Sequence, residues 1–391
     1  MINRYLKNSI IKDALLDKKI AFISGPRQVG KTTLGLSLLN NMENHFLWDD
    51  DIFKKDWAKS PSNSIIKRND GPILLDEIHK DRKWKTKLKG IYDKDKNKLS
   101  IIVTGSAKPD LYRKSSDSLL GRYIPYSLHP FTVSESDKPI GPDEILKRKK
   151  INFPWKDLIN LGGFPEPLLG GSENKAKRWS RLRLEKIIYE DVRDLINIQD
   201  YNALKVLLQL VPDKVGSLLS INSIKKDMNI AYATTRSWVY MLKDLYYCFF
   251  IKPYSKKINR ALRAEPKLYL FDIMQIPKEK HWARLENLAA LHLLKACQYW
   301  TDLAFGEYDL HFIRDKEGKE VDFLITKDGI PWITIECKTK DKEPSKPLIY
   351  FSDKLNVNRR YQLVDIDKYK RNYPGLNLMV INYEDFFAGW L

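Results

Sequence analysis

"IAFISGPRQVGKTT" (Ile20–Thr33) joins an apolar run to a loop framed by two glycines, with a helix-compatible segment after it. The near-continuous apolar run reads as a strand buried on both faces, as in a parallel sheet. The loop has the form Gly25, four residues, then Gly30-Lys31-Thr32. A strand before it and a helix after it are the context in which this spacing cradles phosphate. Its backbone N–H groups and the positive end of the helix favour an anion. Lys31 is placed to reach the β- and γ-phosphates and Thr32 to ligate Mg²⁺. Gln28, Val29 and Thr33 complete the expected cradle. ATP and Mg²⁺ are the expected cofactors.

Working outward, "PILLDEI" (Pro72–Ile78) is a second buried strand that ends in carboxylates. Asp76 is expected to hold Mg²⁺ through water, and Glu77 to polarise an attacking water, which makes hydrolysis achievable. "LSIIVTGSA" (Leu99–Ala107) is a third strand, ending where Thr104 or Ser106 can sense the γ-phosphate. "LLGR" places Arg122 after a helix, as an arginine finger or a sensor, with a solvated surface arginine as the bland alternative. Strands alternating with helical segments predict a parallel α/β sheet.

The whole chain has 391 residues, enough for two to four domains, and 43% hydrophobic residues, enough for real cores. The three cysteines lack zinc-type spacing, which suits a reduced, cytoplasmic protein. No apolar run approaches the roughly 18 residues of a membrane span. The formal net charge of +18 permits a polyanionic partner, with DNA the expected one.

Polar, proline-containing sequence at 136–155 marks a boundary. The expected division is an ATPase core over 1–140, a helical lid over 141–202, a basic module over 203–275 and a C-terminal α/β domain over 276–391. In the basic module, "SINSIKKDMNIAYATTRSWVYMLKDLYY" reads as helix, turn, helix, with the second helix over Ala231–Leu245. A strand, a basic turn and a strand follow, an order similar to a winged helix-turn-helix. Between 214 and 267 eleven basic residues face three acidic ones, so the excess charge is concentrated here. Thr234 and Arg236 on the second helix, with Lys256, Lys257 and Arg260 on the turn, are the expected phosphate contacts. A winged helix used only for packing is the alternative.

"VDFLITKDGIPWITIECKTK" (Val321–Lys340) reads as a hairpin carrying charge in an apolar frame. Strand periodicity puts Glu336 and Lys338 on one face and Ile333, Ile335 and Cys337 on the other. Pro331 cannot donate to a ladder, which favours a five-residue loop over 327–331 and sets Asp322 opposite Glu336. Glu320 is expected to face away. Two carboxylates and a lysine on one face suit a divalent ion with a cation beside it. Asp322 and Glu336 would be its ligands, and Lys338 would orient water or stabilise developing phosphate charge.

This spacing resembles the PD-(D/E)xK nuclease superfamily, which implies a further carboxylate on the preceding helix. Glu286 in "RLENLAALHLL" fits that place, and Gln362 in "YQLV" is an auxiliary contact. The N-terminal motifs resemble the AAA-type ATPases. Their order with "LLGRYIPYSLHPFTVSE", "GGFPEP" and "YEDVRDL" resembles one prokaryotic family, in which an AAA ATPase precedes a DUF4143 domain. The expected fold class is therefore α/β: an N-terminal P-loop ATPase with a parallel sheet, a helical lid, a winged-helix middle and a PD-(D/E)xK nuclease-like C-terminus. The resemblance implies an ATPase with a Mg²⁺-dependent nuclease-like domain, the basic middle module adds DNA as the expected partner, and a homo-oligomer in which Arg122 serves a neighbour is compatible with both. The alternative is a nucleotide-dependent switch whose C-terminal domain binds a protein or nucleic acid without cutting it.

Overall fold

Five parallel strands form the N-terminal sheet: β1 (Ile20–Ser24), β2 (His45–Leu47), β3 (Ile73–Asp76), β4 (Ile101–Gly105) and β5 (Tyr123–Ser127), in the order β2-β3-β4-β1-β5. The computed structural model describes residues 2–66, 71–95, 99–106, 119, 121–136, 139, 141–147, 150–192, 201–255 and 264–391. The chain divides into two compact units. The first comprises Met1–Pro130, Ser136–Lys138 and Asp244–Tyr246; the second comprises Phe131–Glu135, Pro139–Lys243 and Tyr247–Leu391.

In the first unit β1, β3 and β4 are buried at every position. That is what apolar runs covered on both faces produce. Phe22, Leu75, Val103, Trp57, Trp84 and Leu88 belong to one core on this sheet. The chain steps outward from β1 to β2, returns through β3 and β4, and then crosses to β5 on the other side of β1. Ligands of open parallel sheets bind beyond the carboxyl ends of strands where the order reverses, and the phosphate-type loop leaves β1 at that place.

The second unit begins with helices, including Trp155–Leu161, Pro165–Gly170 and Glu173–Lys186. The "GGFPEP" stretch serves packing here. Phe164 is fully buried, the Arg183 guanidinium lies 4.3 Å from its ring centroid, and Gly163 O accepts from Phe131 N–H at 2.7 Å. The helices Tyr201–Leu210, Ile221–Met228 and Tyr232–Asp244 follow. Asn229 ends the middle one in the left-handed region at φ 53°, where asparagine is tolerated. Thr235, Trp238, Val239 and Leu242 are buried at helical spacing on the last helix, leaving Arg236 and Tyr240 exposed.

Two antiparallel strands come next, β6 (Cys248–Pro253) and β7 (Lys267–Leu270). They extend the C-terminal sheet, because β6 pairs in parallel with β8 (Tyr308–Arg314). With β9 (Glu320–Lys327), β10 (Ile330–Lys338), β11 (Arg359–Val364), β12 (Lys370–Tyr373) and β13 (Leu378–Asn382), the sheet has eight strands in the order β12-β13-β11-β10-β9-β8-β6-β7. The helix His281–Asp302 is buried over most of its length, and its buried positions include Arg284, Glu286, Asn287, His292 and Lys295. Within this unit Lys295 pairs with Glu135 at 2.6 Å, both side chains fully buried, and also donates to Thr132.

The hairpin differs from expectation in its loop. Asp328 and Gly329 alone form the turn, at φ 52° and 76°, the conformation that Asp-Gly favours between two strands. Lys327 pairs with Ile330 and Thr326 with Pro331, then Ile325 pairs with Ile333. A one-residue bulge at Trp332 therefore corrects the register that a tight turn would have offset. The ladder continues through Phe323 and Ile335 and sets Asp322 level with Glu336, as expected but by another route. Among the described residues no helix is long and apolar enough to cross a membrane.

Candidate phosphate loop and C-terminal carboxylate site

Gly25 opens the loop at φ 151°, and a Cβ there would lie 2.3 Å from the Leu128 carbonyl oxygen, so no side chain fits. Gln28 and Gly30 take positive φ of 64° and 98° and wrap the loop back onto the helix Lys31–Leu36. Lys31 is 6% exposed, and its ammonium donates to the carbonyls of Gly25 and Pro26 at 3.0 Å each. Val29 is buried within the loop, and Thr33 follows Thr32 on the helix. Ser24, the last residue of β1, accepts at 2.9 Å from the hydroxyl of Tyr246, a residue the sequence reading had not singled out.

The Thr32 hydroxyl donates to Asp76 Oδ2 at 2.8 Å, and Thr104 Oγ1 donates to Asp76 Oδ1. His45 Nε2 lies 3.6 Å from Oδ2. Burial alone would raise the Asp76 pKa, but the nearby His45 ring and hydrogen bonds from Thr104 and Thr32 outweigh it and keep the group below its ordinary value. An ionised carboxylate beside a threonine hydroxyl is an all-oxygen donor set, and Mg²⁺ needs few such protein ligands because phosphates and waters complete its shell. The residues present fit that ion.

Glu77 sits at positive φ (57°), just past β3. Burial raises its pKa, with the Lys31 charge opposing and the Asp76 charge reinforcing. His79 Nε2 lies 3.3 Å from Glu77 Oε2, and the Ser106 hydroxyl donates to the same oxygen at 3.4 Å. Burial, with Lys31 and Lys80 adding to it, drives the His79 pKa down to about 3, so its ring is neutral at pH 7. His79 went unnoticed in the sequence, although "DEIH" places it two residues beyond Glu77. Arg122 makes a two-point contact with Asp93 of its own chain, at 2.7 and 3.1 Å. Its guanidinium is committed on the surface to that carboxylate.

On the helix Tyr232–Asp244, Thr234 is half-buried and Arg236 exposed, with the guanidinium 5.3 Å from the Tyr240 ring centroid. Lys225 and Lys226 on the preceding helix are exposed too. Lys256, Lys257 and Arg260 lie outside the described residues.

The C-terminal charges assemble around a residue from outside the hairpin. Lys267, on β7, is 2% exposed, and its ammonium lies 3.1 Å from Glu286 Oε1, 2.5 Å from Glu320 Oε1 and 3.5 Å from Asp322 Oδ1. Glu320 thus reaches the same cation as Asp322, contrary to the sequence reading. Residues two apart on a strand share a face, and that rule covers this pair. Tyr269 donates to Glu286 Oε1 at 2.7 Å, and Cys337 N–H donates to Asp322 Oδ2 at 2.8 Å.

Glu336 is 5% exposed; Oε1 takes Lys338 at 2.8 Å, while the buried Oε2 has no hydrogen-bond partner. Burial, reinforced by the Asp322 charge, raises the pKa of both Glu286 and Glu336. Burial works against the Lys338 charge, but Glu336 more than offsets it and the pKa rises. Lys338 therefore suits charge stabilisation better than proton abstraction. Gln362, level with Glu336 on β11, is spent on the loop after β10, accepting from Ser345 N–H and donating to the carbonyls of Asp341 and Glu343.

A divalent ion would require several carboxylate oxygens free to converge. Glu336 Oε2 is one such atom. Glu286 and Asp322, however, already face the Lys267 ammonium, and among the described residues no three His, Cys, Asp or Glu side chains are grouped to hold a metal. The C-terminal carboxylates do not fit a divalent ion in this arrangement.

A phosphate loop on β1, carboxylates ending β3 and a polar residue ending β4 define a P-loop nucleotide-binding protein. Comparison with known families specifies the class: residues 17–136 match the AAA domain family and residues 283–384 match the domain of unknown function DUF4143. The chain thus matches an AAA domain followed by a C-terminal DUF4143 domain. Between them, residues 152–273 match a further domain of unknown function, DUF8612.

The chain is similar to an uncharacterized protein of Methanocaldococcus jannaschii, MJ1544, at 26% identity over 97% of this chain and 85% of the relative. A second protein of that organism, MJ1637, is 24% identical over 92% of this chain and 82% of its own length. An uncharacterized protein of Haemophilus influenzae is 20% identical over 89% and 91% respectively.

Proposed function

We propose that this protein hydrolyses ATP at the loop Gly25–Thr33 and uses the resulting switch in binding DNA. The observation that carries the reading is the convergence of Lys31, Thr32, Asp76 and Glu77, with Asp76 joined by hydrogen bonds to both Thr32 and Thr104. In this reading Lys31 leaves its own loop carbonyls for the phosphates. Thr32 and Asp76 would hold Mg²⁺, which supplies charge neutralisation when bound. Glu77 orients the attacking water and accepts its proton. Thr104 keeps Asp76 aimed at the metal position.

The experiment is ATP turnover by the full chain. Lys31→Ala should abolish nucleotide binding, whereas Glu77→Gln should bind ATP and turn it over at least about 100-fold more slowly. Undiminished turnover in Glu77→Gln would sink the assignment.

For the C-terminal domain the reading supported best is recognition of nucleic acid without cutting. Its PD-(D/E)xK-like carboxylates are neutralised by Lys267 instead of being left open to a metal. DNA is the favoured partner of the chain because the exposed Lys225, Lys226 and Arg236 lie on consecutive helices of the net basic segment that precedes this domain. Mg²⁺-dependent cleavage that disappears in Asp322→Ala would overturn the recognition reading in favour of a nuclease.

A further inference from the structure

Lys267 counts in the sequence as one more charge in a basic module, yet its ammonium is enclosed by three carboxylates from two other elements. Glu286 comes from the helix His281–Asp302, and Glu320 and Asp322 come from β9. We propose that Lys267 is the resident cation of the C-terminal site, an ammonium built in where the carboxylates would otherwise need a divalent metal.

Several observations carry this. The lysine is anchored and not a loose plug. Its own residue bridges to Leu218, and the neighbouring Leu268 bridges to Val215. On the same strand, Leu270 N–H donates to Asn287 Oδ1 at 2.7 Å and Asn287 Nδ2 donates to Leu270 O at 2.9 Å. That clamp lies next to Glu286 in sequence, so β7 and the helix present lysine and carboxylate to each other in fixed register.

Among the described residues, two further cations serve the periphery: Arg314 pairs with Glu320 Oε2 at 2.7 Å and Lys338 with Glu336 at 2.8 Å. An ammonium and a hydrated divalent ion compete for the same oxygens, so the cluster takes up metal only when the lysine is gone. The inference rests on, and deepens, the recognition reading of this domain.

The test is Mn²⁺ binding to the full chain without nucleotide, followed by electron paramagnetic resonance of free Mn²⁺. Wild type and Asp322→Asn should bind Mn²⁺ alike, because no Asp322-dependent site exists. Lys267→Met should gain one site at least about 10-fold tighter than any in wild type, lost again on adding Asp322→Asn. An Asp322-dependent Mn²⁺ site in wild type, or no gain in a folded Lys267→Met, overturns the proposal.

If Lys267→Met does not fold, Lys267→Met with Glu320→Gln removes one charge of each sign. Its melting temperature should then rise with Mn²⁺ over EDTA by more than that of wild type, and adding Asp322→Asn should remove the excess; no excess over wild type would refute the assignment. Wild type that takes up Mn²⁺ through Asp322 without cutting DNA removes only the Lys267 assignment. Uptake with cutting removes the recognition reading as well.

Discussion

Thr32 donates its hydroxyl hydrogen to Asp76 Oδ2 at 2.8 Å, so the two groups proposed to hold Mg²⁺ are already joined. The contact fixes the threonine rotamer and helps hold the carboxylate ionised. Asp76→Asn should therefore raise the Mg²⁺ concentration for half-maximal ATP turnover by about 10- to 100-fold. Thr32→Ala should move it in the same direction, whereas Thr32→Ser keeps the hydroxyl and should stay near wild type. A Mg²⁺ titration of turnover checks this, and an unchanged midpoint in Asp76→Asn counts against the pair as metal ligands.

His79 makes a second prediction at the same site. Its Nε2 is 3.3 Å from Glu77 Oε2, and a Cβ on Gly105 would lie 3.0 Å from its Nδ1. The ring is wedged between the carboxylate and the end of β4 and stays neutral because burial disfavours its charge. With Glu77 as the proposed base, His79 would act through it as a positioning residue. His79→Ala should lower kcat by roughly 10-fold, a fraction of what loss of the general base itself costs, and leave KM for ATP in place. His79→Gln retains a donor and should recover part of the rate. A change confined to KM would show that the ring serves nucleotide binding instead.

The phosphate loop was legible because its signals are local. Gly25, Gly30, Lys31 and Thr32 lie within one short stretch of chain, and the backbone there tolerates no substitute at Gly25. The hairpin was legible in its outcome but not its route. Asp328-Gly329 announced a tight turn, while the compensating bulge at Trp332 depends on which side chain the sheet can accommodate. Glu320 was readable from strand period alone and was misplaced.

Lys267 was not readable. Its three partners come from a helix and a strand far along the chain, and a lysine in a basic stretch looks the same whether it meets phosphate or carboxylate. Arg122 was singled out as a finger or sensor, whereas its partner Asp93 is a surface contact that no motif encodes.

Arg236 carries the prediction for nucleic acid. It is exposed on the helix Tyr232–Asp244 and lies over Tyr240, which limits its rotamers without burying its charge. If it contacts a phosphate, Arg236→Ala should weaken DNA binding uniformly across sequences and reduce the slope of log affinity against log salt by about 1. Fluorescence anisotropy at several salt concentrations measures both. A lower affinity with an unchanged slope would mean the arginine shapes the helix and does not touch the backbone of DNA.

The last prediction concerns acid stability of the second unit. His292 is 1% exposed; its Nδ1 faces Leu288 O at 2.8 Å, and its Nε2 accepts from Val133 N–H at 3.1 Å. These partners require the tautomer with hydrogen on Nδ1, and a second proton on Nε2 would meet a donor. Burial is the main reason its pKa falls to about 3, with the Lys295 charge adding to it. The unfolded chain, with an ordinary histidine near pH 6.5, binds the proton more readily than the folded one below that pH.

Stability from this group is therefore full above about pH 6.5 and is lost as pH falls toward 3, by about 2 kcal/mol between pH 7 and pH 5. Replacing His292 with Gln keeps an acceptor in reach of Val133 and removes the titration. Urea unfolding at pH 7 and pH 5 should show a smaller acid loss in His292→Gln than in wild type, whatever the variant's stability at pH 7. Equal losses in both proteins would show that other groups govern the acid limb.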